Sequence, residues 1–281
     1  MFGIIGGTGL YQIEGLRVTD SQEVETPFGR PSAPVLIGQF GPESVAFLPR
    51  HGTHHELLPS EINFRANIWA LKHVGVRKIY SVSAVGSLVQ GIEPGSLTIP
   101  NQYADFTKGR RVGSFFGEGL VAHVSTSEPS CTMLSENASQ AADFLGHPLH
   151  RNKTYACVEG PRLGTRAESF FLKGANCHIV GMTNVPEAFL AREAQLCYCT
   201  LAVVTDYDCW LDDPSQHASV EKVFTLYKKN IGHVQAILKE VLSKSDNTVP
   251  CSCRTSLQGA VLTQESGLSS EKQRILEFLR T

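Results

Sequence analysis

No stretch of this 281-residue chain is apolar for the roughly 20 residues that a membrane-crossing helix requires. No block of lysine and arginine stands out: 25 basic and 27 acidic residues are spread along the chain, with a net charge of −2. A nucleic-acid or membrane-surface partner would call for a basic footprint, so neither is expected and a small-molecule partner is favoured. The run Met1-Phe2-Gly3-Ile4-Ile5-Gly6-Gly7 lacks the basic and apolar regions of a secretion signal. It reads as a first strand, and a cytoplasmic location is expected. The sequons Asn137-Ala138-Ser139 and Asn152-Lys153-Thr154 are then expected to stay unmodified. None of the eight cysteines forms a Cys-x-x-Cys pair or stands at zinc-finger spacing from histidines. Free thiols are the expectation in a reducing compartment. Cys197-Tyr198-Cys199 alternates like a strand, whereas Cys251-Ser252-Cys253 lies in a Ser/Pro/Asn loop open to oxidation. No Gly-x-Ser-x-Gly elbow is present, which argues against covalent hydrolysis.

What is present is an ordinary globular composition, 42% hydrophobic, with no repeat and no low-complexity tract. A chain of this length can bury about three quarters of its unfolded surface without staples. Short apolar runs at 2–6, 34–40, 44–48, 78–84, 97–101, 153–158, 178–181 and 198–205 predict strands. Between them, a helix is expected from an N-cap at Ser60 to Val74, closed by Gly75, and another over Glu187–Gln195 after Pro186. Val220, Val223, Phe224, Tyr227, Ile231, Val234, Leu238 and Val241 form one apolar stripe at helical spacing across about 216–242. Two short helices are expected at Thr255–Leu262 and Ser270–Leu279. Alternating strands and helices predict an α/β fold with a mixed central sheet, one domain over 1–281 with a helical extension over about 251–281.

Several strand ends carry candidate chemistry. Gly6-Gly7-Thr8-Gly9 follows the first strand and can form an anion-binding nest, though a tight turn without ligand explains it equally. The third glycine of a dinucleotide fingerprint would fall at Gln12, and no Walker lysine follows. Arg50-His51-Gly52-Thr53-His54-His55 follows another strand and can present a guanidinium fork to phosphate, or be a basic surface loop. His55-Glu56-Leu57-Leu58-Pro59 fails the HExxH zinc pattern at Pro59. Ser83-Ala84-Val85-Gly86 and Met182-Thr183-Asn184 offer hydroxyls and small residues at strand edges, where α/β folds bind ligands. Thr205-Asp206-Tyr207-Asp208 ends a buried-looking strand in two carboxylates two residues apart. Alternation would put both on one face, where they can share a proton. An ion pair or a helix cap explains them as well.

Taken together, GIIGGTGL at 3–10, ETPFGRPS at 25–32, RHGTHH at 50–55, NFRANIWALK at 63–72, EGPR at 159–162, MTNVPE at 182–187 and TDYDCW at 205–210 resemble the methylthioadenosine phosphorylase branch of the trimeric purine nucleoside phosphorylases. The likeness runs from Gly3 to about Leu262. It implies a partly barrel-like sheet flanked by helices, and phosphate held by Thr8, Arg50, His51, Ser83, Ala84 and Thr183. Asp206 and Asp208 would meet the base, with Leu163 beside it. Met182 would lie by the ribose, and His55, Val220 and Val223 by the 5′ group. His123 would reach in from a neighbouring subunit of a homotrimer or dimer of trimers. No metal or organic cofactor is implied, inorganic phosphate being a co-substrate.

The implied reaction is phosphorolysis of S-methyl-5′-thioadenosine to adenine and 5-methylthioribose 1-phosphate, a salvage step. A 6-oxopurine, methylthioinosine or broad-specificity purine nucleoside phosphorylase is the alternative, and a binding module without turnover is a further one. Two departures bear on this. Leu163 and Gly164 stand where many relatives place an aromatic residue and a serine, and Ser83 stands where threonine is common. The Cys251/Cys253 pair resembles a Cys-x-Cys disulfide of some thermophilic relatives.

Overall fold

The computed structural model describes residues 1–7, 15–41, 43–213, 216–217, 219–244 and 250–281. Its strands are β1 (Phe2–Gly6), β2 (Leu16–Gln22), β3 (Val35–Phe40), β4 (Glu43–Pro49), β5 (Lys78–Ser87), β6 (Leu97–Phe106), β7 (Leu149–Val158), β8 (Ile179–Gly181) and β9 (Cys197–Asp206). Its helices are α1 (Phe64–His73), α2 (Thr132–Leu145), α3 (Arg166–Gly174), α4 (Asn184–Glu193), α5 (Val220–Ser243) and α6 (Ser270–Arg280). The sheet order is β2-β3-β4-β1-β5-β8-β7-β6-β9, and β9 returns to pair with β5. Strands β5, β8, β7, β6 and β9 therefore close on themselves, as the partial barrel anticipated. The remaining strands extend from β5 as an open, mixed wing.

Alternation along the strands divides the core between two faces. Ile5, Ile79, Tyr198, Ala202 and Val204 pack on the face covered by α1 and α4, with Ile68, Leu71, Leu190 and Ala191. Phe2, Ile4, Cys197, Cys199, Leu201 and Val203 pack on the other, against Leu134 and Ala138 of α2 and Val234 and Leu238 of α5. Every residue of β9 is buried, as expected of a strand covered on both faces. Cys197 and Cys199 share a face, as their spacing predicts. Among the described residues no helix is long and apolar enough to cross a membrane.

Several expectations are corrected. Helix α1 begins later than predicted, because Asn63 rather than Ser60 caps it, its side chain accepting from Ala66 N–H. Helix α4 starts at Asn184, before Pro186. The predicted helix over Thr255–Leu262 does not form. Only a 3-10 turn over Ser252–Thr255 precedes a chain that turns at Gly259, φ +73°, and bridges Ala122 through Val261. Strand β2 and helices α2 and α3 were not predicted. The expectation of free thiols holds for all eight cysteines, Cys251 and Cys253 included.

Candidate functional site

Strands β4, β1, β5 and β9 run parallel, in register at Gly6 with Pro49, Ile5 with Ser81 and Ala84 with Val203. Their carboxyl ends thus open at one edge, the position at which α/β sheets bind ligands. A cavity of about 790 Å³ opens there. Arg50, His51, Ser83, Ala84, Thr183, Met182, Asp206, Asp208, His55, Leu163, Val220 and Val223 all line it. Thr8 lies outside the described residues, although Gly7 reaches the wall. His123 is exposed and does not line the cavity; its N–H donates to Ala260 O at 2.9 Å.

Arg50 does not offer the free fork expected of it. Its Nε donates to Glu187 Oε2 at 2.7 Å and its Nη2 to Glu187 Oε1 at 2.8 Å, with both side chains buried. Its Nη2 also meets Ser81 Oγ at 2.5 Å, and its Nη1 meets Val82 O at 3.2 Å. Burial alone would lower the guanidinium pKa, but the attraction of Glu187 outweighs it and holds the group above its usual value. The pair is neutral as a unit. What remains for an anion is one Nη1 hydrogen, and no local pattern reveals this because Glu187 is 137 residues away.

Beneath the pair runs a buried polar network. Glu187 Oε1 also accepts from Ser81 Oγ at 2.7 Å and Tyr198 Oη at 2.8 Å. Asn184 Nδ2 lies 2.7 Å from both Tyr198 Oη and Thr200 Oγ1, and Asn184 Oδ1 accepts from Ser83 Oγ at 3.1 Å. A satisfied network of this kind holds Ser83 and Arg50 in single positions. Beside it, His51 Nδ1 sits 2.8 Å from Leu57 O and the ring stacks on His55 at 4.5 Å. Burial, more than any neighbour, lowers His51 to about 4, so the ring is neutral at pH 7. The carbonyl assigns the hydrogen to Nδ1, which leaves Nε2 as an acceptor.

At the other end, Asp206 ends β9 and Asp208 follows in a turn rather than a continued strand, with φ +51°. The two carboxylates share the cavity through that turn, not through strand alternation. Nor do they meet each other as a proton-sharing pair. Asp206 Oδ1 accepts from Asp208 N–H at 2.8 Å and Oδ2 from Thr205 Oγ1 at 2.7 Å, while Asp208 Oδ2 accepts from Ser169 Oγ. Burial is the main cause that raises Asp206 to about 6, and burial raises Asp208 as well. Gly86 permits this arrangement: a Cβ there would stand 2.9 Å from Asp206 Oδ1.

The apolar stripe of α5 changes role midway. Val234, Leu238 and Val241 are core, whereas Val220, Val223, Phe224 and Tyr227 line the cavity, with Val220 64% and Phe224 47% exposed. Residues that sequence reasoning missed include Ser169, Phe106, Phe171, Glu159 and Arg111. The Arg111 side chain is buried and pairs with Glu159 at 3.0 Å, and its Nη1 donates to Met182 O and Val185 O at 2.7 Å each. Nothing in the polar run Lys108-Gly109-Arg110-Arg111 signals that role.

Residues 1–243 match the family model described as the phosphorylase superfamily. The S-methyl-5′-thioadenosine phosphorylase of Geobacter sulfurreducens is 42% identical over 279 residues, covering 99% of this chain and 97% of the relative. The enzyme of the same name from Thermococcus kodakarensis is 46% identical over 251 residues, covering 89% and 95%. Among solved structures, a methylthioadenosine phosphorylase from an antarctic soil metagenomic library superposes with a TM-score of 0.93 at 42% identity, covering 99% of this chain and 98% of that one. A methylthioadenosine phosphorylase from Schistosoma mansoni in complex with adenine gives 0.83 at 36% identity, covering 88% and 93%.

Proposed function

We propose that this chain, which belongs to the phosphorylase superfamily, splits the N-glycosidic bond of S-methyl-5′-thioadenosine with inorganic phosphate. The products are adenine and 5-methylthioribose 1-phosphate, and the step serves purine and methionine salvage. The observation that carries the reading is Asp206, a buried carboxyl held at about 6 in the cavity that also contains the Arg50, Ser83 and Thr183 strand ends. Relatives of nearly equal length bear the corresponding name.

As the glycosidic bond stretches, positive charge grows on the ribose and negative charge on the purine. Protonated Asp206 donates to N7 of the departing base. A preorganised donor of this kind is worth roughly 3–4 kcal/mol. Phosphate attacks from the opposite face of the sugar, held by the Arg50 Nη1 hydrogen, the Thr183 hydroxyl, the backbone at Ala84 and the Ser83 hydroxyl, which turns its hydrogen from Asn184 Oδ1 to the anion, with Thr8 as a further contact. The neutral His51 Nε2 accepts from the P–OH of monohydrogen phosphate. Because Glu187 already neutralises Arg50, phosphate is retained by hydrogen bonds rather than by net charge. Met182 supports the ribose, fixed from behind by Arg111. Asp208, a pure acceptor when ionised, suits the N6 amine of adenine, and Leu163 borders the base. His55, Val220 and Val223, joined by Phe224, enclose the methylthio group.

The working unit is a homotrimer or a dimer of trimers in the cytoplasm. Val121 and Leu262 leave 45% and 63% of their surfaces exposed beside His123 and are joined to each other by a backbone hydrogen bond. An apolar patch of this kind on a loop that carries a site residue is best covered by a second copy. Assay of methylthioadenosine with and without phosphate tests the reaction. Phosphate-dependent release of adenine is expected, and equal rates in both would make the enzyme a hydrolase. Binding without turnover would make the chain a binding module.

A further inference from the structure

On the sheet face opposite α1 and α4, the thiols of Cys131, Cys197, Cys251 and Cys253 converge, all four Sγ atoms lying within 4.8 Å of one another. Cys131 Sγ and Cys251 Sγ are 3.6 Å apart. A metal ion bound by four thiolates at about 2.3 Å sets its sulfurs roughly 3.8 Å from each other, so this spacing is that of an open tetrahedral cage. Chance packing of small apolar side chains does not require it. Cys199, on the same strand face two residues beyond Cys197, stays outside the group and meets Ser135 instead.

We propose that these four cysteines form a structural site for one zinc ion. The four thiols lose their protons to solvent as they bind, and no oxidant or reductant takes part. The resulting unit carries two negative charges, and its surroundings suit them. Arg192 lies within electrostatic range of Cys253, Arg254 follows Cys253 in the chain, and Cys131 sits at the amino end of α2, where the helix dipole favours negative charge. Cys131 is itself fixed to β9, its N–H donating to Tyr198 O at 2.7 Å.

The ligands come from the start of α2, the start of β9 and the 3-10 turn of the carboxyl-terminal segment, so the ion fastens residues 250–281 to the sheet. That segment supports the His123 loop through Ala260 O and the Ala122–Val261 bridge. None of the four thiols lines the cavity. The metal is structural and takes no part in the proposed reaction.

The test is metal analysis of the protein purified under reducing conditions, loaded with zinc and passed through a chelating resin. One zinc per chain is expected, falling to none in Cys251→Ser and Cys253→Ser and unchanged in Cys177→Ser. Replacement by cobalt(II) in the wild type should give thiolate-to-metal charge transfer in the near ultraviolet and the intense visible bands of tetrahedral cobalt. This reading stands even where the serine variants fail to fold. Removing the metal from the wild type should lower its melting temperature. Absence of bound zinc with four titratable thiols, a six-coordinate cobalt spectrum, or an intact mass lower by two hydrogens, the mark of a Cys251–Cys253 disulfide, would each overturn the site.

Discussion

Arg50 and Glu187 lie face to face in a two-pronged ion pair, Nε to Oε2 at 2.7 Å and Nη2 to Oε1 at 2.8 Å, and both are buried. Removing one partner of such a pair strands the other's charge, at a cost of about 3–5 kcal/mol. Arg50→Ala should therefore lose stability by that amount and also raise the KM for phosphate. The double variant Arg50→Met with Glu187→Leu should recover most of the stability and none of the phosphate affinity. Urea unfolding beside phosphate titration separates the two effects. A double variant with wild-type KM would remove Arg50 from phosphate binding.

Asp206 links pH to both rate and stability. Its carboxyl rises from 3.8 to about 6 on folding, so the folded chain holds the proton more tightly than the unfolded one. Stability is then highest below 3.8 as far as this group is concerned, falls as pH rises through the window to about 6, and is level above. The full loss is about 2–3 kcal/mol. Asp206→Asn should abolish that fall, so that it gains on the wild type between pH 4 and pH 8. The alkaline limb of the pH–rate profile should go with it: wild-type turnover should decline above about 6. The variant, which donates a hydrogen bond but no proton, should be slower by roughly 100-fold and flat across the window. A wild-type rate rising through that window would reassign the acid.

The carboxylate of Asp208 predicts the base. Ranked by kcat/KM, methylthioadenosine should lead adenosine, methylthioinosine and inosine. An unpaired buried acceptor facing O6 costs about 1–3 kcal/mol, which sets the expected margin at roughly five- to 150-fold. Asp208→Asn should narrow that margin by giving O6 a donor. Gly164 is the second lever. A Cβ there would sit 3.6 Å from Asp208 Oδ2, an ordinary contact, so Gly164→Ser should fold normally and place a hydroxyl beside the carboxylate. Preference for the inosine forms in the wild type would overturn the Asp208 argument.

Arg111 binds Glu159 and the carbonyls of Met182 and Val185, so it fixes the Met182 wall of the cavity without lining the cavity itself. Arg111→Ala should lower stability by about 3–5 kcal/mol and raise the KM for nucleoside more than that for phosphate. Thermal melts and separate substrate titrations check both. Equal changes in the two KM values would mean that the loss is merely global.

The parts legible in the sequence share one property: their signal is local. The strand ending at Asp206 announced itself because ten consecutive buried residues stop at a carboxylate. The Arg50 loop and the Ser83 and Thr183 junctions were visible as polar residues directly after apolar runs. Strand β2 was invisible because it is solvent-exposed from Arg17 to Gln22 and shows no apolar alternation. Helix α2 buries mainly Ala138, Ser139, Ala141 and Ala142, residues too small to mark a stripe. Helix α3 misleads in the other direction, since Phe170 and Phe171 are exposed and its buried residues are Ser169 and Leu172. The pairing of Arg50 with Glu187 and the convergence of Cys131 with Cys251 depend on chain separations of 137 and 120 residues. No local pattern encodes such meetings.

Helix α5 draws a boundary within a single element. Its second half is anchored in the core through Val234, Leu238 and Val241, so its unfolding requires the domain to unfold. Its first half, Val220 to Tyr227, has the cavity where the second half has core. An occupant that fills the cavity would supply the packing that this half lacks, so binding there should stabilise these two helical turns against local opening.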